Sequence, residues 1–472
     1  MPLKAEPLAS MCEAVVDCPH STPVWTDSGF VVLRNQNIKN GRLDLSDPSF
    51  TDEEHFKHRI RRLAPRAGDI VITREAPMGD VCKIPEGLKC CLGQRQVLLR
   101  PKKGIDPDFL LYALQSRFVQ DQIRWNEGTG STVSNIRIPV LEKIEIPRLG
   151  EAEKPIANVL RSLDDKLDLN RRINQTLEAM AQAIFKSWFM DFDPVKAKIA
   201  AKAEGRDPLR AAMSAISGKT DAELDTLPPE QHAELAATSA LFPDEMEDSE
   251  LGETPKGWHA APFGSMLTHT IGGDWGTDTP DTSNDTRVTI IRGTDLPDLD
   301  QAQSNRVPIR YTSQKKLASR RMQVGDIVLE VSGGSRDQPT GRSFRMTANA
   351  MREFDCPVEP ASFCRLLRPA SIEVGVILGL HLSYIYQQGK TWEYQNQSTG
   401  IANFQTTHFL ETELVAKPPT AVVEAFFKTV NPLLERRHDP QGRQLAALRD
   451  ALLPKLLSGE LQVQNLEAEA AA

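Results

Sequence analysis

With 472 residues, 40% of them hydrophobic and 25% charged, the chain has an ordinary globular balance and length for two or three full cores. That excludes a disordered or fibrous protein, and no apolar run reaches the eighteen or so residues a membrane span needs. The net charge of −8 argues against a nucleic-acid binder only until it is placed along the chain: residues 196–255 carry −7 and the tail from Glu460 carries −3, leaving +2 for everything else.

The opening segment is turn-rich (Asp17-Cys18-Pro19-His20-Ser21-Thr22-Pro23). The first ten residues show no charged-then-apolar signal pattern, so a cytoplasmic protein is the expectation. Short β-type runs follow at Phe30–Leu33, Asp69–Thr73 and Gln96–Leu99, separated by Gly, Pro and Asp turns. Phe109 to Leu114 reads as a helix continuing near Arg124. A long helix is expected over about 152–189. Its Ile156, Leu160, Leu163, Leu167, Asn170, Asn174, Leu177, Ala181, Ile184 and Trp188 recur at spacings of 4 and 3, a narrow heptad seam that calls for another long helix. Such a helix spans about 50 Å.

Residues 196–255, rich in Ala, Glu, Asp and Pro, read as a linker with short surface helices around 208–217 and 229–239. Strands then return at Val288–Arg292, Asp326–Val331 and Phe363–Leu367, with a helix over about Val374–Gln387. A second long amphipathic run at about 420–458 is interrupted by Asp439-Pro440-Gln441-Gly442, which predicts two shorter helices or a bent one. Chain order lets the two long runs pair antiparallel without threading.

The second set of elements repeats the first. Gly68-Asp69-Ile70-Val71 returns as Gly325-Asp326-Ile327-Val328, and Leu98-Leu99-Arg100-Pro101 as Leu366-Leu367-Arg368-Pro369. Ser131 to Ile136 is echoed by Thr399 to Phe404. The boxes keep their order at an offset of roughly 260 residues, too long for a solenoid, so a whole domain is duplicated. Strands mixed with helices make that domain α/β (α+β).

Signatures of chemistry are weak. Gly334 to Ser343 lacks phosphate-loop spacing, and Gly128-Thr129-Gly130 lacks a third Gly. Asn431-Pro432-Leu433-Leu434 lacks the second Pro and the aromatic of an amino-methyltransferase motif. Neither His-Glu-x-x-His nor Gly-x-Ser-x-Gly is present. Seven cysteines without a Cys-x-x-Cys pair read as buried thiols, with a metal site at Cys12, Cys18, His20 and Cys90 the minor alternative. No catalytic residue, metal or cofactor is expected of this chain.

Basic clusters recur at one place in both repeats. Lys57, Arg59, Arg61, Arg62 and Arg66 precede the first Gly-Asp-Ile-Val box; Arg310, Lys315, Lys316, Arg320 and Arg321 precede the second. A basic run by itself is usually a solvated face, but its recurrence favours phosphate contact. Planar amides and guanidinia suited to base edges are Arg74, Gln94, Arg95 and Gln96 in the first repeat, and Arg336, Gln338, Arg342, Gln395 and Asn396 in the second.

These boxes, with Leu177-Glu178-Ala179-Met180-Ala181-Gln182, Phe185 to Phe189, Asp248 to Gly252 with Pro255-Lys256-Gly257-Trp258, and the terminal Leu448 to Glu460, resemble the specificity subunits of type I restriction–modification enzymes over the whole chain. The resemblance implies target-recognition domains at 1–150 and 256–417. It implies coiled-coil helices at 151–190 and 418–460, an acidic linker at 191–255 and an acidic tail at 461–472. It further implies a non-catalytic subunit whose domains each read half of a split target in double-stranded DNA. Two methyltransferase subunits would bring S-adenosylmethionine and adenine-N6 chemistry, and restriction subunits ATP- and Mg-dependent translocation and cleavage. Two departures stand out: the first repeat lacks the Pro-x-Gly-Trp opening of Pro255–Trp258, and Pro440 breaks a helix that is usually continuous. The alternatives are a DNA methyltransferase or nuclease with unrecognised motifs, and a coiled-coil scaffold that binds only protein.

Overall fold

The computed structural model describes residues 4–126, 135–302, 306–334, 338–398 and 401–463. The chain forms two compact units, residues 1–168 with 444–472, and residues 169–443. The boundary therefore falls inside both long helical runs, not at their ends.

In the first unit the boxes build a four-stranded antiparallel sheet, in the order Cys12–Asp17, Gln96–Pro101, Ile70–Thr73, Val81–Lys83. Strand residues alternate between faces, and here both faces are covered. Ile70, Ile72, Val97 and Leu99 pack with Phe109, Leu110, Val119 and Ile123 of the helices Pro107–Gln115 and Arg117–Trp125. Val71 and Leu98 pack with Leu33, Cys90 and Leu92 of a three-stranded sheet. There Phe30–Leu33 lies between Ser49–Thr51, antiparallel, and Cys90–Leu92, parallel. Double burial explains why these strands read as continuous apolar runs. The single helix expected near 109–124 is broken at Ser116, whose extended backbone ends one helix while its hydroxyl caps the next.

The second unit repeats the plan. Its four-stranded sheet runs Leu267–Gly272, Cys364–Pro369, Ile327–Glu330, Ser343–Arg345, and its three-stranded sheet Ile309–Thr312, Thr286–Ile291, Val358–Pro360. The helix Ile372–Gln387 covers the first sheet through Val376, Ile377 and Leu380.

The duplicated boxes are two halves of one lock. Gly68 and Gly325 take positive φ of 85° and 92° at the turn entering the central strand, a conformation glycine adopts at little cost. The next residue is a buried Asp. Asp69 accepts Arg100 Nε at 2.9 Å and Nη2 at 2.7 Å, and Asp326 accepts Arg368 Nε and Nη2 at the same two distances. Each Asp also caps a backbone N–H of its own turn, from Arg66 and Gln323. The Gly-Asp box and the Leu-Leu-Arg-Pro box are thus adjacent strands joined by a fork of two charge-assisted bonds.

The first long helix runs Glu153–Phe185 and passes into a π-turn, Lys186–Met190. The extra residue of that turn lets Phe185, Trp188 and Phe189 all enter one aromatic cluster with Phe426. The partner run splits into Thr420–Arg437 and Gln441–Leu457, as Pro440 dictates. Within the first unit Ile156 and Leu160 share a core with Leu456 and Leu457, and Asp164 meets Arg449 at 3.1 Å. Within the second, Arg437 pairs with Glu178 and Phe185 with Phe426. Rising numbers on one helix meet falling numbers on the other in each unit, so the pairing is antiparallel.

The acidic segment has the two expected short helices but is more ordered than a linker. It forms helices Asp193–Ala203, Pro208–Ser217, Asp221–Asp225 and Pro229–Ala240, with Val195 and Phe242 in the second unit's core. Its start and stop signals are explicit: Asp207 caps Leu209 N–H, Gly218 closes the same helix at positive φ, and Thr220 and Glu223 form a capping box. Six cysteines are buried and Cys356 is half-buried, all as free thiols. Burial pushes Cys12, Cys90 and Cys364 up to about 12 and Cys91 to about 11, so they are unreactive hydrophobes.

Candidate nucleic-acid interface

Each unit carries a polar rim where its central strands end. In the first, Asp17 ends the edge strand and receives both Arg74, at 2.9 Å, and His20, at 3.0 Å. Arg74 also donates to the Ile136 carbonyl at 3.1 Å, and Asn135 donates to Glu75 at 2.6 Å. Glu75 in turn holds Arg95 at 3.2 Å. Gln94 donates to the His20 carbonyl at 2.8 Å, and Arg62 to the Asp17 carbonyl at 3.3 Å. The structure therefore brings Arg62, Arg74, Gln94 and Arg95 together.

Not every expected contact residue belongs there. Gln96 is 0% exposed and accepts from Gly93 N–H; it opens a strand covered on both faces and cannot read a base. Arg59 is only 6% exposed and is consumed by the carbonyls of Leu92, Gly93, Ser21 and Pro19. Burial holds its guanidinium below its usual range. Helix Glu53–Arg59 turns Phe56, stacked on Phe30 at 4.2 Å, and Arg59 three residues later toward the sheet. Lys57, bridged to Glu53 at 2.7 Å, and Arg61 face outward. Arg66 leans on Glu13 at 3.5 Å.

The second rim uses the same scaffold with other side chains. Helix Gln314–Arg320 buries Leu317, and Arg320 donates to the Gly272 carbonyl at 3.0 Å. Lys315, Lys316 and Arg321 are exposed, with Lys316 reaching Asp274 at 3.1 Å. Arg310 is bound to Asp278 and stacks over Trp275, with 4.3 Å to the ring centroid. Arg342 is not an outward reader: it donates to the buried Glu330 from Nε at 2.8 Å. Gln395 accepts from Thr340 N–H at 3.0 Å, whereas Asn396 is exposed opposite Asn403. Gln338 is exposed; Arg336, Ser131 to Ser134, Thr399 and Gly400 lie outside the described residues.

Sequence reading missed several rim residues. Asp17, Glu75 and Asp274 position the cations, and nothing local marks an acidic residue as such a holder. The exposed Trp25 under Arg34, at 5.4 Å, and Trp275 under Arg310 carried a usable signal, an aromatic in a polar turn ahead of each three-stranded sheet.

Among the described residues no helix is long and apolar enough to cross a membrane and no His/Cys/Asp/Glu group could hold a metal. Fold and rims together define a recognition protein built from a duplicated module. The family model for the type I restriction modification DNA specificity domain matches residues 22–179. The specificity subunit of type I restriction enzyme HindI from Haemophilus influenzae is 30% identical over 355 residues, 71% of this chain and 71% of that protein. That of MjaIX from Methanocaldococcus jannaschii is 24% identical over 421 residues, 88% and 82% of the two chains. A solved type I S subunit from M. genitalium aligns at TM-score 0.49 and 15% identity, covering 97% of this chain and 96% of that one. The chain belongs to the type I restriction enzyme specificity subunits, the components that recognise the DNA target.

Proposed function

We propose that each unit reads one half of a split, asymmetric site in double-stranded DNA, with the paired helices as spacer and docking surface. The observation that carries this reading is that the second rim repeats the first. In each unit a short helix and the residues just after it bear exposed cations, and one arginine of that stretch donates to the carbonyl ending the same edge strand, Arg62 to Asp17 and Arg320 to Gly272. Lys57, Arg61 and Arg62, and Lys315, Lys316 and Arg321, would neutralise phosphates, while the rim side chains meet base edges in the groove. The chain supplies no chemistry in this account. Two methyltransferase subunits bring S-adenosylmethionine and methylate adenine N6, and restriction subunits bring ATP- and Mg-dependent cleavage.

Methylation-aware sequencing of the host genome, with and without this chain, tests the reading. The expected result is a two-part adenine-methylated motif that vanishes on deletion. A genome with no such motif, or one that keeps it after deletion, contradicts it. A protein-only scaffold would instead leave salt-dependent DNA affinity unchanged when both basic runs are neutralised.

A further inference from the structure

The two rims project unlike side chains from one equivalent backbone position. In the first unit the Arg95 carbonyl accepts Arg74 N–H at 2.8 Å, and in the second the Phe363 carbonyl accepts Val331 N–H at 2.9 Å. The following residue matches too: Gln96 O accepts Cys18 N–H, and Cys364 O accepts Gly273 N–H. Register and hydrogen bonding thus make Arg95 and Phe363 the same point of the module, the residue just before the strand of the Leu-Leu-Arg-Pro box.

Both are thrown outward. Arg95 has φ of 64°, a left-handed backbone uncommon for a non-glycine residue, and its side chain is 54% exposed yet tethered by Glu75. Phe363 is 67% exposed, whereas the adjacent Cys364 is buried in the core. Cations flank each: Arg62 on the Asp17 carbonyl and Arg320 on the Gly272 carbonyl, both at the end of the neighbouring edge strand. Lys316 sits one step further, on Asp274, whose N–H is bound by the Pro360 carbonyl. A guanidinium and a phenyl ring, each presented beside phosphate-binding charge, suit different base chemistries. Arginine pairs with guanine O6 and N7, and phenylalanine meets the thymine methyl.

We infer that Arg95 and Phe363 are equivalent specificity-determining residues, Arg95 reading a guanine in one half-site and Phe363 a thymine methyl in the other. This rests on the two-reader function proposed above. The test uses the chain assembled with its methyltransferase subunits, on synthetic duplexes of the genomic target. Each thymine is replaced in turn by deoxyuridine, and each guanine by 7-deazaguanine. Deleting one methyl should weaken the parent complex about 4-fold at a single thymine, the value of one buried CH₂-sized group. Phe363→Ala should abolish that response and Phe363→Leu retain part of it. Loss of one guanine N7 should weaken binding, and Arg95→Ala should cost about 5- to 150-fold and erase the difference between guanine and its analogue at that position. The assignment is overturned for Phe363 if the parent ignores every methyl or Phe363→Ala keeps the response. It is overturned for Arg95 if Arg95→Ala keeps the guanine preference. A complex that binds all sequences alike refutes the two-reader function itself, a different result from specific binding indifferent to these atoms.

Discussion

At the residue scale, buried cations such as Arg59 are spent on the fold, while exposed ones such as Arg61 and Lys315 are the proposed phosphate contacts, and the division is measurable. Arg59→Ala should unfold the first unit at lower urea, because four carbonyls lose their donors. Arg61→Ala or Lys315→Ala should leave the midpoint unchanged and lower the salt slope of DNA binding by about one each. Removing Asp69 should strand the buried Arg100 and cost about 3–5 kcal/mol, read by urea unfolding. Its counterpart Asp326 should cost less, since Arg368 is the more exposed of the two arginines. The sequence held the words of this lock, Gly-Asp and Leu-Leu-Arg-Pro, without showing that one Asp and one Arg meet. It also could not tell Arg59 from Arg61: only the helix phase, with Phe56 three residues before Arg59, turns one inward. Gln96 failed as a reader for the related reason that a planar amide is equally suited to a groove and to a strand end.

Two buried titrating groups in the second unit give opposite pH slopes. Burial leads in holding His438 down to about 4, with Arg437 adding to it. Folding therefore keeps it neutral, and the stability present above pH 6.5 is lost as pH falls from there toward 4. Burial pushes the Glu359 carboxyl, 0% exposed, up to about 7, with Asp274 adding to it. Its folded form keeps the proton, so its contribution is full below about pH 4.5 and is lost as pH rises through 7. Glu359→Gln should thus stabilise the protein at pH 8 by roughly 3 kcal/mol and change little at pH 4. Thermal unfolding at the two pH values checks this; equal effects at both would contradict it.

At the scale of elements, the strands were legible because two-sided burial leaves dense apolar runs between turn residues. The seam of the long helix was legible because its period is regular. The acidic segment was legible in part: its short helices at Pro208–Ser217 and Pro229–Ala240 fall where they are expected, whereas composition hid the helices Asp193–Ala203 and Asp221–Asp225 and the burial of Val195 and Phe242 in the second unit's core. The π-turn at Lys186–Met190 had no readable signal, since it answers the demand of three aromatic side chains for one cluster. Phe426→Ala should remove the ring shared by Phe185, Trp188 and Phe189 and destabilise by about 3–5 kcal/mol. Calorimetry should assign that loss to the second unit's transition.

For the whole molecule, the duplication gives one scaffold used twice, with two rims bearing different sets of outward side chains. The direct measurement is the affinity of the assembled complex, at fixed salt, for duplexes carrying both half-sites, either one alone, or neither. Two readers predict that scrambling either half costs at least about 100-fold, since each half contributes several base contacts worth about 1–3 kcal/mol apiece. Full affinity retained after scrambling one half would contradict the account, because one of the two rims would then read nothing.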